Sequence, residues 1–314
     1  GAAADGPFTP HFIAFLKKDP NANKFIVEGA YEQHKDDFGS FGGKQEDGEK
    51  TTHHPVIFIH GNSDYALERP GRTKETGWTK SVEYFKSKGY TGAELYGLTY
   101  GSGDVATGAL NNSVKCDYVK THRYFIESVL KYTQSDKIDI IAHSMGATIA
   151  RMALQGGEFT LAGEKCDLGA SLKDKAHTLI SISGAHYGMC LCLMLPGVLS
   201  CGPEGFSAGT CSGLAANATM AACQDYKSQS GDTIDYSALL QEVNKRSGEK
   251  GKEADRVATI FSKDDDVLGP GNLAWGRQTS LMPGSDDGLV KEFSGLNHFE
   301  AKDNTTQAQY ELIS

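Results

Sequence analysis

Apolar positions along the chain fall into two alternating rhythms. Short, mainly apolar runs, Pro55-Val56-Ile57-Phe58-Ile59, Ile138 to Ala142, Thr178 to Ser183 and Arg256 to Ser262, are four to eight residues long and end at turn signals. Such runs predict strands buried on both faces, as in a parallel sheet. Ala93 to Tyr100 and Gly288 to Phe293 are further strand candidates. Between the runs the spacing changes to that of helices. Trp78, Val82 and Phe85, with Ser81 and Lys86 facing outward, predict a helix over Gly77 to Lys88. Val119, His122, Phe125, Ile126, Val129 and Leu130 predict the next, and Tyr236 to Val243 another. Strand and helix in alternation imply an α/β fold with a mostly parallel sheet, helices on both faces and right-handed crossovers.

The rhythm fails at three places. In residues 1–52, Phe8 to Leu16 and Phe25 to Val27 fit either strand or short helix, and the Gly-rich, polar Phe38 to Lys50 predicts a loop. The charged Gly248 to Asp255 predicts another loop. Residues 189–230 are rich in Cys, Gly and Ala around the apolar Leu191-Cys192-Leu193-Met194-Leu195-Pro196. They read equally as a lid-like excursion over the ends of the strands or as a loop with its own small core. No repeat or linker divides the chain. Its 314 residues, 39% hydrophobic, suffice for one large core, so a single domain is expected, with 1–52 as an extension and 189–230 as an insertion.

The candidate chemistry gathers where strands end. Ile138 to Ala142 runs into His143-Ser144-Met145-Gly146, and a helical pattern follows. Strand, sharp turn with a serine between small residues, then helix is the layout of a nucleophile elbow, here with Ala142 in place of the usual first glycine. The first strand ends in His60-Gly61-Asn62, where backbone N–H groups can face the serine. Asn62 and Met145 are thus the expected oxyanion donors, and His60 is expected to orient the loop. Lys263-Asp264-Asp265-Asp266 follows the late strand, and His298 lies beyond the last one. Serine, acid, histidine is the chain order of an α/β-hydrolase, so Ser144, an acid near Asp265, and His298 are the catalytic candidates. Ligands of such sheets sit beyond the carboxyl ends of the strands, which makes His186, Leu193 and Leu195 candidate substrate contacts.

Charge and cysteine usage narrow the setting. A net charge of -9 disfavours nucleic acid as a partner. The longest apolar run, Met189 to Leu199, is too short to cross a bilayer. Gly1-Ala2-Ala3-Ala4 lacks a charged start and an apolar stretch, so any signal peptide is expected to have been removed or to be absent. Seven cysteines, Cys116, Cys166, Cys190, Cys192, Cys201, Cys211 and Cys223, lack the paired C-x2-C spacing of zinc sites and favour disulfides in a secreted protein. The odd count leaves one over, and the pairing is open. Asn111, Asn217 and Asn304 open N-x-S/T sequons.

These motifs resemble the class 2 lipases, both the small bacterial enzymes with A-H-S-M-G and the secreted nematode branch. More distantly they are similar to extracellular polyhydroxybutyrate depolymerases. PVIFIHGNSD (Pro55 to Asp64), IDIIAHSMG (Ile138 to Gly146), ISISGAHYG (Ile180 to Gly188), IFSKDDDVLG (Ile260 to Gly269), LAWGRQTSLMPG (Leu273 to Gly284) and GLNHF (Gly295 to Phe299) carry the resemblance. It implies Ser144 as nucleophile and His298 as base. The family's acid, three residues after the serine that ends its strand, falls on Asp265. Asp287, in a D-G-L-V segment like that of another bacterial lipase family, remains an alternative, as do Asp264 and Asp266. The function implied is secreted lipase or related carboxylester hydrolase, with a lipid or other ester substrate and transient contact with a lipid interface. No cofactor, metal or obligate protein partner is expected. Alternatives are a hydrolase of polymeric or short soluble esters, and a non-catalytic secreted binding protein on the same fold.

Overall fold

The structure, a computed structural model, describes residues 5–213 and 218–314. Its centre is a seven-stranded sheet. The strands are β1 (Ser40–Phe41), β2 (Val56–Ile59), β3 (Leu95–Leu98), β4 (Ile138–His143), β5 (Ala176–Ile182), β6 (Arg256–Ser262) and β7 (Val290–Phe293), in the order β1-β3-β2-β4-β5-β6-β7. Every neighbouring pair is parallel except β1 with β3, which is antiparallel. Strands β2 to β4 are buried along their whole length, as expected where helices cover both faces.

The longer helices are α1 (Pro10–Leu16), α2 (Thr79–Ser87), α3 (Cys116–Thr133), α4 (Met145–Gln155), α5 (Ala238–Lys250) and α6 (Thr306–Ile313); α2 to α5 fill the crossovers, while α1 precedes the sheet and α6 follows it. The stripe of α2 is as read, with Val82 and Phe85 buried, except that Ser81 points inward. Its hydroxyl donates to Gln309 Oε1 on α6 at 2.8 Å, because the C-terminal helix covers what would otherwise be an exposed face. Helix α5 runs on to Lys250, so Gly248–Lys250 belongs to helix rather than loop. The Phe38 to Lys50 loop contributes the short edge strand β1.

Residues 5–52 are helical where the sequence left strand or helix open. Thr9 caps α1 by accepting from the Phe12 N–H, Pro10 occupies its first turn, and Asn23–Tyr31 forms a π-helix. Phe8, Phe12, Leu16 and Ile26 join the same buried cluster as Tyr96, Phe125 and the α4 residues. The edge of Phe12 meets Tyr96 at a ring separation of 5.2 Å.

Three disulfides join Cys116 to Cys166, Cys190 to Cys223 and Cys192 to Cys201, and Cys211 is the free, buried thiol. Two of them staple the 189–230 segment, whose described residues form short turns, the strand Thr210–Cys211 and the helix Met220–Asp225 around a small core of Cys190, Ala208, Cys211, Cys223, Ala274 and Trp275. Asn217 lies outside the described residues, as do Gly1 to Ala4.

Candidate active site

Strand β4 delivers Ser144 at its carboxyl end. The serine has φ 55° and ψ -125°, a conformation L residues rarely hold, and α4 begins at the next residue. The turn is stitched by Ser144 N–H to the Ile182 carbonyl at 2.8 Å and by Ala147 N–H to the Ser144 carbonyl at 3.0 Å. The need for small neighbours is visible. A Cβ on Gly146 would stand 2.6 Å from the carbonyl oxygens of Ile59 and His60, and one on Gly61 would stand 2.9 Å from Ser144 Cβ. Ala142 is tolerated because its methyl group packs in the core.

His298 reaches back from the loop after β7. Its Nε2 lies 3.0 Å from Ser144 Oγ and its Nδ1 lies 2.8 Å from Asp265 Oδ2. The other Asp265 oxygen accepts from the N–H groups of Val267 and Leu268, both at 2.9 Å. Burial opposes ionisation of this carboxyl. The facing imidazole and these hydrogen bonds nevertheless hold it below the usual carboxylate range. The flanking acids hold the histidine loop: Asp264 accepts from Gly295 N–H at 2.6 Å and Asp266 from His298 N–H at 2.9 Å. Asp287 is exposed and its neighbour Asp286 pairs with Lys252 and the Val257 N–H, so the D-G-L-V segment lies away from His298.

Buried histidines brace the site. His143 Nε2 donates to the His298 carbonyl at 2.9 Å. Burial first, then the neighbouring His298 and Lys302, keep its pKa well below that of a free imidazole. His60 stacks on Tyr100 with ring centres 4.3 Å apart and accepts from the Tyr100 N–H. Burial pushes its pKa down to about 3, so it is neutral. Lys302, fully buried, donates to Thr76 and Asp303 and lies 3.6 Å from Asp64, fastening the histidine loop to the segment after Asn62.

A cavity of about 260 Å³ opens over Ser144 and His298, bordered by Asn62 and Met145. Met145 N–H is the first of α4 and has no intrahelical acceptor, and Met145 and Asn62 line the same cavity as Ser144. The walls are apolar, with Leu191, Leu195, Val198 and Phe206 from the disulfide-stapled segment and Leu110 opposite. Of the three candidate substrate contacts, Leu195 lines this cavity. Leu193 and His186 do not line it. Leu193 turns into the Cys190–Trp275 cluster, since the 3₁₀ turn over Cys190–Met194 sends it to the face opposite the cavity. His186 is fully buried, bonded to Ser181 Oγ at 2.8 Å and to the Arg151 guanidinium at 3.2 Å. Leu110, Val198 and Phe206 carry no sequence signal of their own.

The profile of the family described as Lipase (class 2) matches residues 53–311. The chain belongs to that family. No curated protein matches this class 2 lipase at a significant level. Among solved structures it is similar to lipase BlEst2 of Bacillus licheniformis in its propeptide form, at 12% identity and TM-score 0.50, over 87% of this chain and 52% of that one. It is also similar to Aspergillus fumigatus lipase B, at 14% identity and TM-score 0.47, over 93% of this chain and 51% of that one. The Paleococcus ferrophilus monoacylglycerol lipase aligns at 14% identity and TM-score 0.44, over 87% of this chain and 96% of that one. The class 2 lipase thus spans about half the length of the first two, and at 12% identity the likeness to BlEst2 speaks to fold alone.

Proposed function

We propose that this class 2 lipase is a secreted serine carboxylester hydrolase that cleaves lipid esters. The reading rests on one observation, the His298 imidazole bridging Ser144 Oγ at 3.0 Å and Asp265 at 2.8 Å. His298 takes the serine proton as Ser144 Oγ bonds to the ester carbonyl carbon, and Asp265 holds the imidazole and balances its charge. The Asn62 and Met145 N–H groups receive the developing oxyanion, where one donor is worth ~3 kcal/mol. His298 then protonates the departing alcohol. Water, deprotonated by the same imidazole, releases the acid from the acyl-enzyme.

The apolar walls support a hydrocarbon acyl chain in the cavity, and the exposed cavity residues Leu110 and Leu195, with exposed Met194 and Leu199 on the same stapled segment as Leu195, support contact with a lipid surface. Three disulfides support an oxidising, extracellular setting.

A fluorophosphonate tests the reading. The expected result is stoichiometric labelling at Ser144, abolished by Ser144→Ala, with turnover on a panel of acetate to oleate esters rising when the longer ones are presented as an emulsion. A folded protein that neither labels at Ser144 nor turns over any ester sinks it. Turnover confined to the shortest soluble esters would move the substrate away from lipids.

A further inference from the structure

The opposite rim of the sheet, where the strands begin, carries a second cluster of side chains. His54, just before β2, Asp139 on β4 and His177 on β5 bring one ligand atom each within 4.8 Å of one another. The three strands are adjacent in the sheet. Asp139 has only 3% of its side chain exposed and sits 2.8 Å from His177 Nδ1. His177 reaches it through a bulge. Ile138 pairs with Ala176 but Asp139 pairs with Thr178, so His177 is the extra residue of β5. A bulge re-aims a side chain at the cost of a ladder position, and such irregularities gather at functional sites. The His54 ring lies 5.0 Å from that of His177, and no hydrogen bond ties its imidazole to the described residues. Asp139 precedes Ser144 by five residues of extended chain, about 17 Å at ~3.3 Å per residue, so the cluster is separate from the catalytic end.

We propose that His54, Asp139 and His177 bind a zinc ion, with water as the fourth ligand. Two imidazoles and a carboxylate suit Zn²⁺, whose bonds to N and O run near ~2.1 Å and whose tetrahedral ligands stand roughly 3.4 Å apart. The wider separations, up to 4.8 Å, close to that and the 2.8 Å His177–Asp139 contact opens to it with ring movements on the order of 1–1.5 Å. His54 and His177 are half-buried and can swing, while Asp139 is held by its strand. The ion would clamp the starts of β2, β4 and β5 together. Its part is in stability, and it takes no part in ester cleavage.

The competing account is a plain His177–Asp139 ion pair, which makes no use of His54. Chain lacking any polyhistidine tag, stripped with chelator, is titrated with Co²⁺ by visible absorption and then with Zn²⁺, and melting is followed with and without Zn²⁺. The expected result is one ion per chain with tetrahedral cobalt bands, displaced by zinc, and a zinc-dependent rise in Tm. His54→Ala and His177→Gln should each weaken binding about tenfold or more and cancel the rise, while Ser144→Ala keeps both. Circular dichroism of the metal-free variants checks their fold. His54→Ala removes a partly exposed side chain, so it stays informative if His177→Gln does not fold. Absence of saturable binding, or binding and a Tm rise that survive His54→Ala, overturns the proposal.

Discussion

At the residue scale, the question the sequence left open is which carboxylate serves His298. Four acids were in play, and distance separates them: Asp265 touches the ring, Asp264 and Asp266 hold the loop that carries it, and Asp287 faces solvent. Asp265→Asn is therefore expected to cut kcat by orders of magnitude with the fold retained, and Asp287→Asn to leave it within about twofold. Stability carries a second signature. The folded carboxyl has a lowered pKa, so its contribution is present above the unfolded value and is lost as pH falls through the folded one. The Tm gap between wild type and Asp265→Asn should then shrink on going from about pH 6 to about pH 3. A gap that widens in acid, or Asp287→Asn as the more damaging change, would reassign the acid. Sequence placed an acid here because a late strand ends at Ser262. The family spacing favoured Asp265, but the strand and turn alone do not separate neighbours one position apart, since contact depends on how the 263–269 turn meets a loop about 30 residues away.

At the scale of elements, the elbow works because two backbones pass at near contact. Gly146 is the tightest point, with Ile59 and His60 carbonyls closing on any Cβ. Gly146→Val is expected to lower stability by roughly 2 kcal/mol or more, read as a fall in Tm, and to displace Ser144 enough to lower fluorophosphonate labelling. Unchanged melting and labelling would mean that strand and helix have slack that the geometry denies. The strands and the elbow were legible because buried parallel strands and small-residue turns leave strong local patterns. The cavity wall was not. Leu191 and Leu195 line the cavity while Leu193 between them does not, and this depends on a 3₁₀ turn whose direction is set by the Cys190–Cys223 and Cys192–Cys201 bridges.

At the scale of the whole molecule, residues 5–52, which the family profile does not cover, are built into the main core. Phe12 is fully buried among Phe8, Tyr96, Phe125 and Tyr132. Phe12→Ala should cost ~3–5 kcal/mol in denaturant unfolding. A loss under about 1 kcal/mol would show that segment to be an appendage after all. Ser81 makes the same point from the other terminus: periodicity along α2 assigned it to solvent, and α6, more than two hundred residues later, covers it.

By itself the sequence determined the α/β rhythm, the elbow at Ser144, the order of serine, acid and histidine, and the presence of disulfides, because each is written in neighbouring residues whose spacing or small size the backbone demands. Tertiary structure decided which acid meets His298, which cysteine is left alone, which leucines face the cavity, and that His54, Asp139 and His177 share one rim. Those are distances between strands and loops far apart in the chain, and only the folding of the sheet brings them to a definite value.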